Sequence, residues 1–170
     1  MANTFELIAS STVGSGGAAS ITFSSIPSTY TDLVLKISAR HNGASVANAF
    51  YIKFNGSTTG QSGRYLEGNG SSAGSGANSL AYGGVESGAS ATSSTFSNAE
   101  IYIPNYAGSN NKSYSGDSVV ENNATTGIQW LLSGLWSNTA AITSLVISPD
   151  SGSNSYVQYS TAYLYGVKNA

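Results

Sequence analysis

The chain is 170 residues long and only 8 % of them are Asp, Glu, Lys or Arg, where an ordinary soluble domain carries roughly 25 %; its surface must rest on hydroxyls, amides and exposed backbone. The six basic residues, Lys36, Arg40, Lys53, Arg64, Lys112 and Lys168, are scattered through a chain of net charge -2, which excludes the cationic face that tracks nucleic-acid phosphates. With no cysteine there are no disulfides, thiolate metal sites or cysteine nucleophiles, and stability must come from packing.

Phe5, Leu7 and Ala9 alternate with Glu6 and Ile8, and Ile21 and Phe23 lie between Ser20, Thr22 and Ser24; a period of two predicts half-buried strands. Pro27 lacks a ladder donor and marks a connector before the run Leu33-Val34-Leu35-Lys36-Ile37. Phe50, Ile52 and Phe54 share one strand face, with Tyr51 and Lys53 on the other, and the strand stops at Asn55-Gly56, a turn pair that tolerates positive φ. Arg64-Tyr65-Leu66 reads as the next strand, after a polar loop. From Gly68 to Ala99 the chain is rich in Gly and Ser, and Leu80, Tyr82 and Val85 predict one short strand between two surface loops. Strands are expected again over 99–103, closed by Pro104, and over 112–120, 128–136, 142–147 and 156–165.

About ten short strands without alternating helices predict an all-β fold: a single antiparallel β-sandwich domain over residues 1–170, jelly-roll-like, with Gly/Ser-rich loops. The segment Met1-Ala-Asn-Thr-Phe-Glu6 has no basic stretch leading into an apolar core. No apolar run approaches the ~20 residues that span a bilayer, so neither a signal peptide nor membrane insertion is expected.

His41 is the one histidine, and no Gly-x-Ser-x-Gly elbow supplies a serine nucleophile beside it; it reads as a polar loop residue after the strand ending near Ala39. The acids are dispersed. Asp117 and Glu121 share a strand face about 13 Å apart, too far for a paired-carboxylate glycosidase, and read as solvated rim acids. No enzyme activity, cofactor or metal is therefore expected. Trp130 and Trp136 point to one face with Leu132 and Gly134, and the opposite face shows Leu131 and Leu135 around Ser133. Such a strand is central, or covered by a neighbouring subunit. Among eleven tyrosines, Tyr65, Tyr82, Tyr106 and Tyr114 sit beside Gly, Ser or Asn in predicted loops and are candidate glycan contacts, since a phenol stacks on a sugar while its hydroxyl stays wet. Tyr51, Tyr102, Tyr163 and Tyr165 read as half-exposed strand positions.

Three segments carry a resemblance: Ser25-Ile-Pro-Ser-Thr-Tyr-Thr-Asp-Leu-Val-Leu35, Glu100-Ile-Tyr-Ile-Pro-Asn-Tyr106 and Tyr159-Ser-Thr-Ala-Tyr-Leu-Tyr-Gly166. From Thr4 to Val167 the chain resembles small virion-associated structural proteins of tailed bacteriophages of marine and freshwater bacteria, including cyanophages. The resemblance implies a β-sandwich displayed on the particle as a homotrimer, made in the host cytoplasm and located in the virion. It supplies no site residues. A capsid decoration or cement protein bound to the major capsid protein is the expected role; the alternative is a receptor-binding tail-fibre tip on a shaft protein, or a carbohydrate-binding module recognising a host surface glycan.

Overall fold

The computed structural model describes residues 4–78, 81–124 and 126–168. Among them are twelve strands: β1 (Phe5–Thr12), β2 (Ile21–Phe23), β3 (Asp32–Ala39), β4 (Ala47–Phe54), β5 (Gln61–Gly68), β6 (Ala73–Asn78), β7 (Tyr82–Ser87), β8 (Ser97–Pro104), β9 (Lys112–Glu121), β10 (Gly127–Trp136), β11 (Leu145–Pro149) and β12 (Thr161–Val167). They form two antiparallel sheets. The larger runs β1-β12-β3-β8-β9-β10-β5-β6 and the smaller runs β2-β11-β4-β7.

Eight strands carry the jelly-roll wind. The first pairs with the last, β1 with β12, and the nested pairs β2 with β11, β3 with β8 and β4 with β7 follow inward. The chain is thus a long ribbon folded back on itself and rolled, with successive pairs falling in opposite sheets. Two hairpins are inserted into this ribbon. β5 and β6 lie between β4 and β7 in the chain, β9 and β10 between β8 and β11, and all four add to one side of the larger sheet.

Alternation explains the core between the sheets. Leu33, Leu35 and Ile37 of β3, Ile101 and Ile103 of β8, and Leu132 and Trp136 of β10 face Phe50, Ile52 and Phe54 of β4 and Leu145 and Ile147 of β11. The predicted face of Phe50, Ile52 and Phe54 is therefore the inner one, and both tryptophans point inward from a strand paired on both sides.

Three local expectations change. The Gly/Ser-rich tract contains two strands: the β5–β6 turn is built by Asn69, whose Oδ1 accepts from the Ser71 and Ser72 N–H groups at 3.0 and 2.8 Å, with Gly70 at φ 84. Glycine is needed again in β6, where the Tyr65 ring lies over Gly76 in the space a Cβ would take. Asn55 and Gly56 do make the expected tight turn, at φ 51 and 74 with Ser57 N–H donating to Phe54 O at 3.0 Å. The chain crosses there to the other sheet, and Asn55 is held by its Nδ2 donating to Ala141 O at 2.9 Å. The strand expected over 142–147 starts at Leu145 because Ile142 turns its N–H to Tyr106 O, 2.9 Å away. The one expected from 156 starts at Thr161 because Tyr156 makes only isolated bridges to Ala18 and His41.

Candidate functional site

The added hairpins broaden a sheet whose outer face stays in solvent. On β10, Leu131 is 54 % exposed and lies directly opposite Leu66 of β5, 59 % exposed, and opposite Asp117 of β9. Leu131 forms a ridge between two depressions. One, of about 550 Å³, is lined by Arg64, Leu66, Ser75, Ala77 and Ser133; the other, of about 350 Å³, by Glu100, Tyr102, Ser115 and Asp117. The nearby Lys36 ammonium sits 2.8 Å from Glu100 Oε2 with both side chains about half exposed, so the pair contributes well under ~1 kcal/mol. What this surface can do is bury an apolar ridge against a partner whose charges answer Arg64, Glu100 and Asp117 beside it.

The four candidate tyrosines do not form one site. Tyr106 is buried in the turn after β8, where its hydroxyl donates to Pro27 O and ties two connectors together. Tyr114 is not in a loop. It lies buried on β9 with its ring over Gly134 and edge-on to Phe54, centroids 5.3 Å apart, and burial pushes its phenol up to about 12. Tyr65 and Tyr82 do come together, both half-buried, in the line Tyr51, Tyr82, Trp130, Tyr65. Tyr65 stacks on Trp130 at 4.2 Å, and Tyr82 meets Tyr51 at 5.6 Å and Trp130 at 6.2 Å. These ring faces are spent on one another, and Trp130 Nε1 donates to Glu67 Oε2 at 3.0 Å. Sugar stacking needs an open face. Among the described residues the most exposed aromatics are Phe5, Tyr102 and Tyr163 on the large sheet and, above all, Tyr159, 68 % exposed before β12.

Tyr159 has φ 73, a region unfavourable to a bulky residue. It is held there by its N–H donating to Val13 O at 3.0 Å, while Val13 N–H donates to Ser160 O at 2.8 Å. Nothing in the spacing of residues around Tyr159 signals this, because the strain comes from a contact with a segment distant in the chain.

The same end of the sandwich gathers the loops after β1, β3, β7 and β11 around Arg40 and His41. Arg40 donates to four carbonyls of one loop: Ala89, Ala91, Thr92 and Thr95, at 3.1, 3.0, 2.9 and 3.0 Å. His41 lies in the loop after β3, where its place beyond Ala39 puts it, but it is buried. Its N–H donates to Ser87 O at 2.9 Å, and its Nδ1 accepts from Gly43 N–H at 3.0 Å, which leaves the proton of the neutral ring on Nε2. Burial, then the Arg40 charge, pull its pKa down.

Beneath these loops lies Glu86, only 1 % exposed on β7. Neither of its carboxylate oxygens has a hydrogen-bond partner, and the same is true of His41 Nε2, Ser45 Oγ, Ser87 Oγ and Tyr156 Oη. The Tyr156 phenol is an electrostatic neighbour of the Glu86 carboxyl, but no bond of ordinary geometry joins them. Burial, with the Asp150 charge adding to it, pushes the Glu86 carboxyl well above the usual range; burial and then the Glu86 charge do the same to the phenol. Glu86 looks in the sequence like one more dispersed acid. Its burial is decided by the opposing strand, where it faces Asn48, and by the loops folded over it.

Asp117 and Glu121 are exposed on one face of β9, which pairs with β10 through both without a bulge. They remain two separate solvated acids, and no group of three or more His, Cys, Asp or Glu placed to hold a metal occurs among the described residues. No known protein family, curated protein or solved structure matches this chain.

Proposed function

We propose that this chain is a non-enzymatic structural protein of a bacteriophage virion, a capsid decoration or cement protein that docks through the outer face of its larger sheet. The observation that carries this reading is the exposed Leu131–Leu66 ridge between two shallow depressions. Burying such a ridge is favourable by about 25 cal/mol per Å² of apolar surface. The charges beside the ridge, Arg64, Glu100 and Asp117, make part of the contact salt-dependent, since exposed charges are screened within about 8–10 Å, while the apolar part is not. The same patch presented by several copies suits a closed homo-oligomer, a trimer by resemblance, seated on the major capsid protein. Imaging of labelled protein in intact particles by cryo-electron microscopy tests the location; density on the tail and none on the capsid lattice would sink it. Leu131→Asp should abolish particle binding with the circular dichroism spectrum unchanged and the unfolding midpoint only slightly lowered, the side chain being half in water and the Asp117 carboxylate lying opposite.

One observation favours a second reading, a receptor-binding tip or glycan-binding module: the strained, exposed Tyr159 at the loop end. Strain of this kind collects at binding sites. Saturation-transfer measurements with host surface polysaccharide should then lose their signal in Tyr159→Gly while Leu131→Asp retains it.

A further inference from the structure

The loop end gathers six buried polar atoms without partners on five side chains drawn from three chain segments: His41 and Ser45, Glu86 and Ser87, and Tyr156. A buried carboxylate with no cation beside it, and only the Tyr156 phenol as a poorly placed donor, is too costly to keep ionised, whereas a neutral acid in the same place costs only its unmet hydrogen bonds. We propose that the Glu86 carboxyl is a proton-operated latch for this end of the sandwich, closed while it is protonated and opened by its ionisation.

The groups that face Glu86 support one direction only. From the segment before β12 come Tyr156 and Asp150, the second an acid that opposes a charge on Glu86. From the segment after β3 come His41, neutral by its burial, and Arg40, whose guanidinium is committed to four carbonyls of the loop after β7. The paired strand β4 supplies the neutral Asn48 opposite Glu86. Among the described residues no cation is positioned to receive the negative charge, so a Glu86 that ionises must reach water. The barrier to that is the set of backbone bonds closing the lid: Asn42 N–H to Ser155 O at 3.0 Å, Gly88 N–H to Val46 O at 2.9 Å and Ala89 N–H to Gly43 O at 2.8 Å. These are local bonds at loop ends, the kind that open below the global unfolding free energy.

The sign follows from linkage. A carboxyl held above its ordinary range when closed contributes stability in full below the ordinary Glu range, and that contribution is lost as pH rises through the raised value. The opening equilibrium therefore climbs by up to about tenfold per pH unit within that window. Hydrogen exchange of the full chain from pH 5 to pH 9, corrected for intrinsic rates, should show protection of residues 40–45, 88–96 and 150–157 falling with pH while β3 and β8 stay protected. In Glu86→Gln the fall in protection above about pH 7, where the His41 ring is neutral whether the lid is open or closed, should disappear. Flat protection in the wild type, or a Glu86→Gln profile that tracks the wild type, would overturn the latch. A carbon-detected titration of the wild-type Glu86 carboxyl stands independently of the variant's folding: an ordinary glutamate midpoint would equally refute the proposal.

Discussion

The two loop ends of the sandwich each seat a cation under backbone carbonyls, and they differ in what surrounds it. At one end Lys112, 1 % exposed, donates to Gly108, Asn110 and Ala140 carbonyls at 2.6, 2.6 and 2.8 Å. Asn55 meanwhile accepts from Thr143 and Ser144 N–H at 2.9 and 3.2 Å, and Tyr106 reaches Pro27. Only Gln61 leaves buried polar atoms unpartnered there among the described residues. At the other end Arg40 likewise donates to backbone carbonyls, four of them, yet the space beside it holds Glu86, His41, Ser87 and Tyr156 with unmet atoms. A buried polar group that is satisfied rigidifies its surroundings, and one that is not makes them easy to open. The first end is a fixed base and the second is poised to move.

The largest effect should come from breaking the fixed end. Lys112→Met removes an ammonium and leaves its carbonyls under the loop after β8 without a donor, which should cost about 3 kcal/mol in urea unfolding; a change below the error of the midpoint would mean that water replaces the ammonium freely. Arg40→Ala should cost less, about 2 kcal/mol, since its guanidinium is already partly solvated. Its signature is local: amide exchange should accelerate over residues 88–96 and stay unchanged around Lys112. Exchange that rises equally at both ends would erase the contrast between them. The smallest effect is a gain. Tyr159→Gly relieves a left-handed backbone worth about 1–2 kcal/mol and gives back about 0.4–1 kcal/mol in chain entropy. A net stabilisation of about 0.5 kcal/mol follows, seen as a slightly raised thermal midpoint, and a drop would show that the ring itself holds the loop.

Much of the β structure could be read from alternation alone, because a sheet with one wet face writes its burial into every second residue. Leu33, Leu35 and Ile37, or Trp130, Leu132 and Trp136, need no partner to declare their face. The β5–β6 hairpin was hidden for the opposite reason: Ala73–Asn78 has hardly a side chain to alternate, and its strand exists because Tyr65 covers Gly76 and β5 supplies the ladder. The tyrosines misled for a related reason. Small neighbours around Tyr106 and Tyr114 resemble loop composition, yet those small residues are what let a large ring pack, as Gly134 does under Tyr114.

The sequence by itself determined the class of molecule: a chain nearly free of charge, built of short alternating strands, with no cluster of chemistry-bearing residues along it. Only the tertiary structure decided which apolar side chains are left over and which polar ones are trapped. Leu131 and Trp130 are adjacent and both hydrophobic, and the pleat sends one to water and the other to the core. Glu86 is one acid among eight, and what sets it apart is the set of loops folded over it from segments far away in the chain. Burial is a property of what lies opposite, and strand order, which local periodicity does not encode, settles what lies opposite.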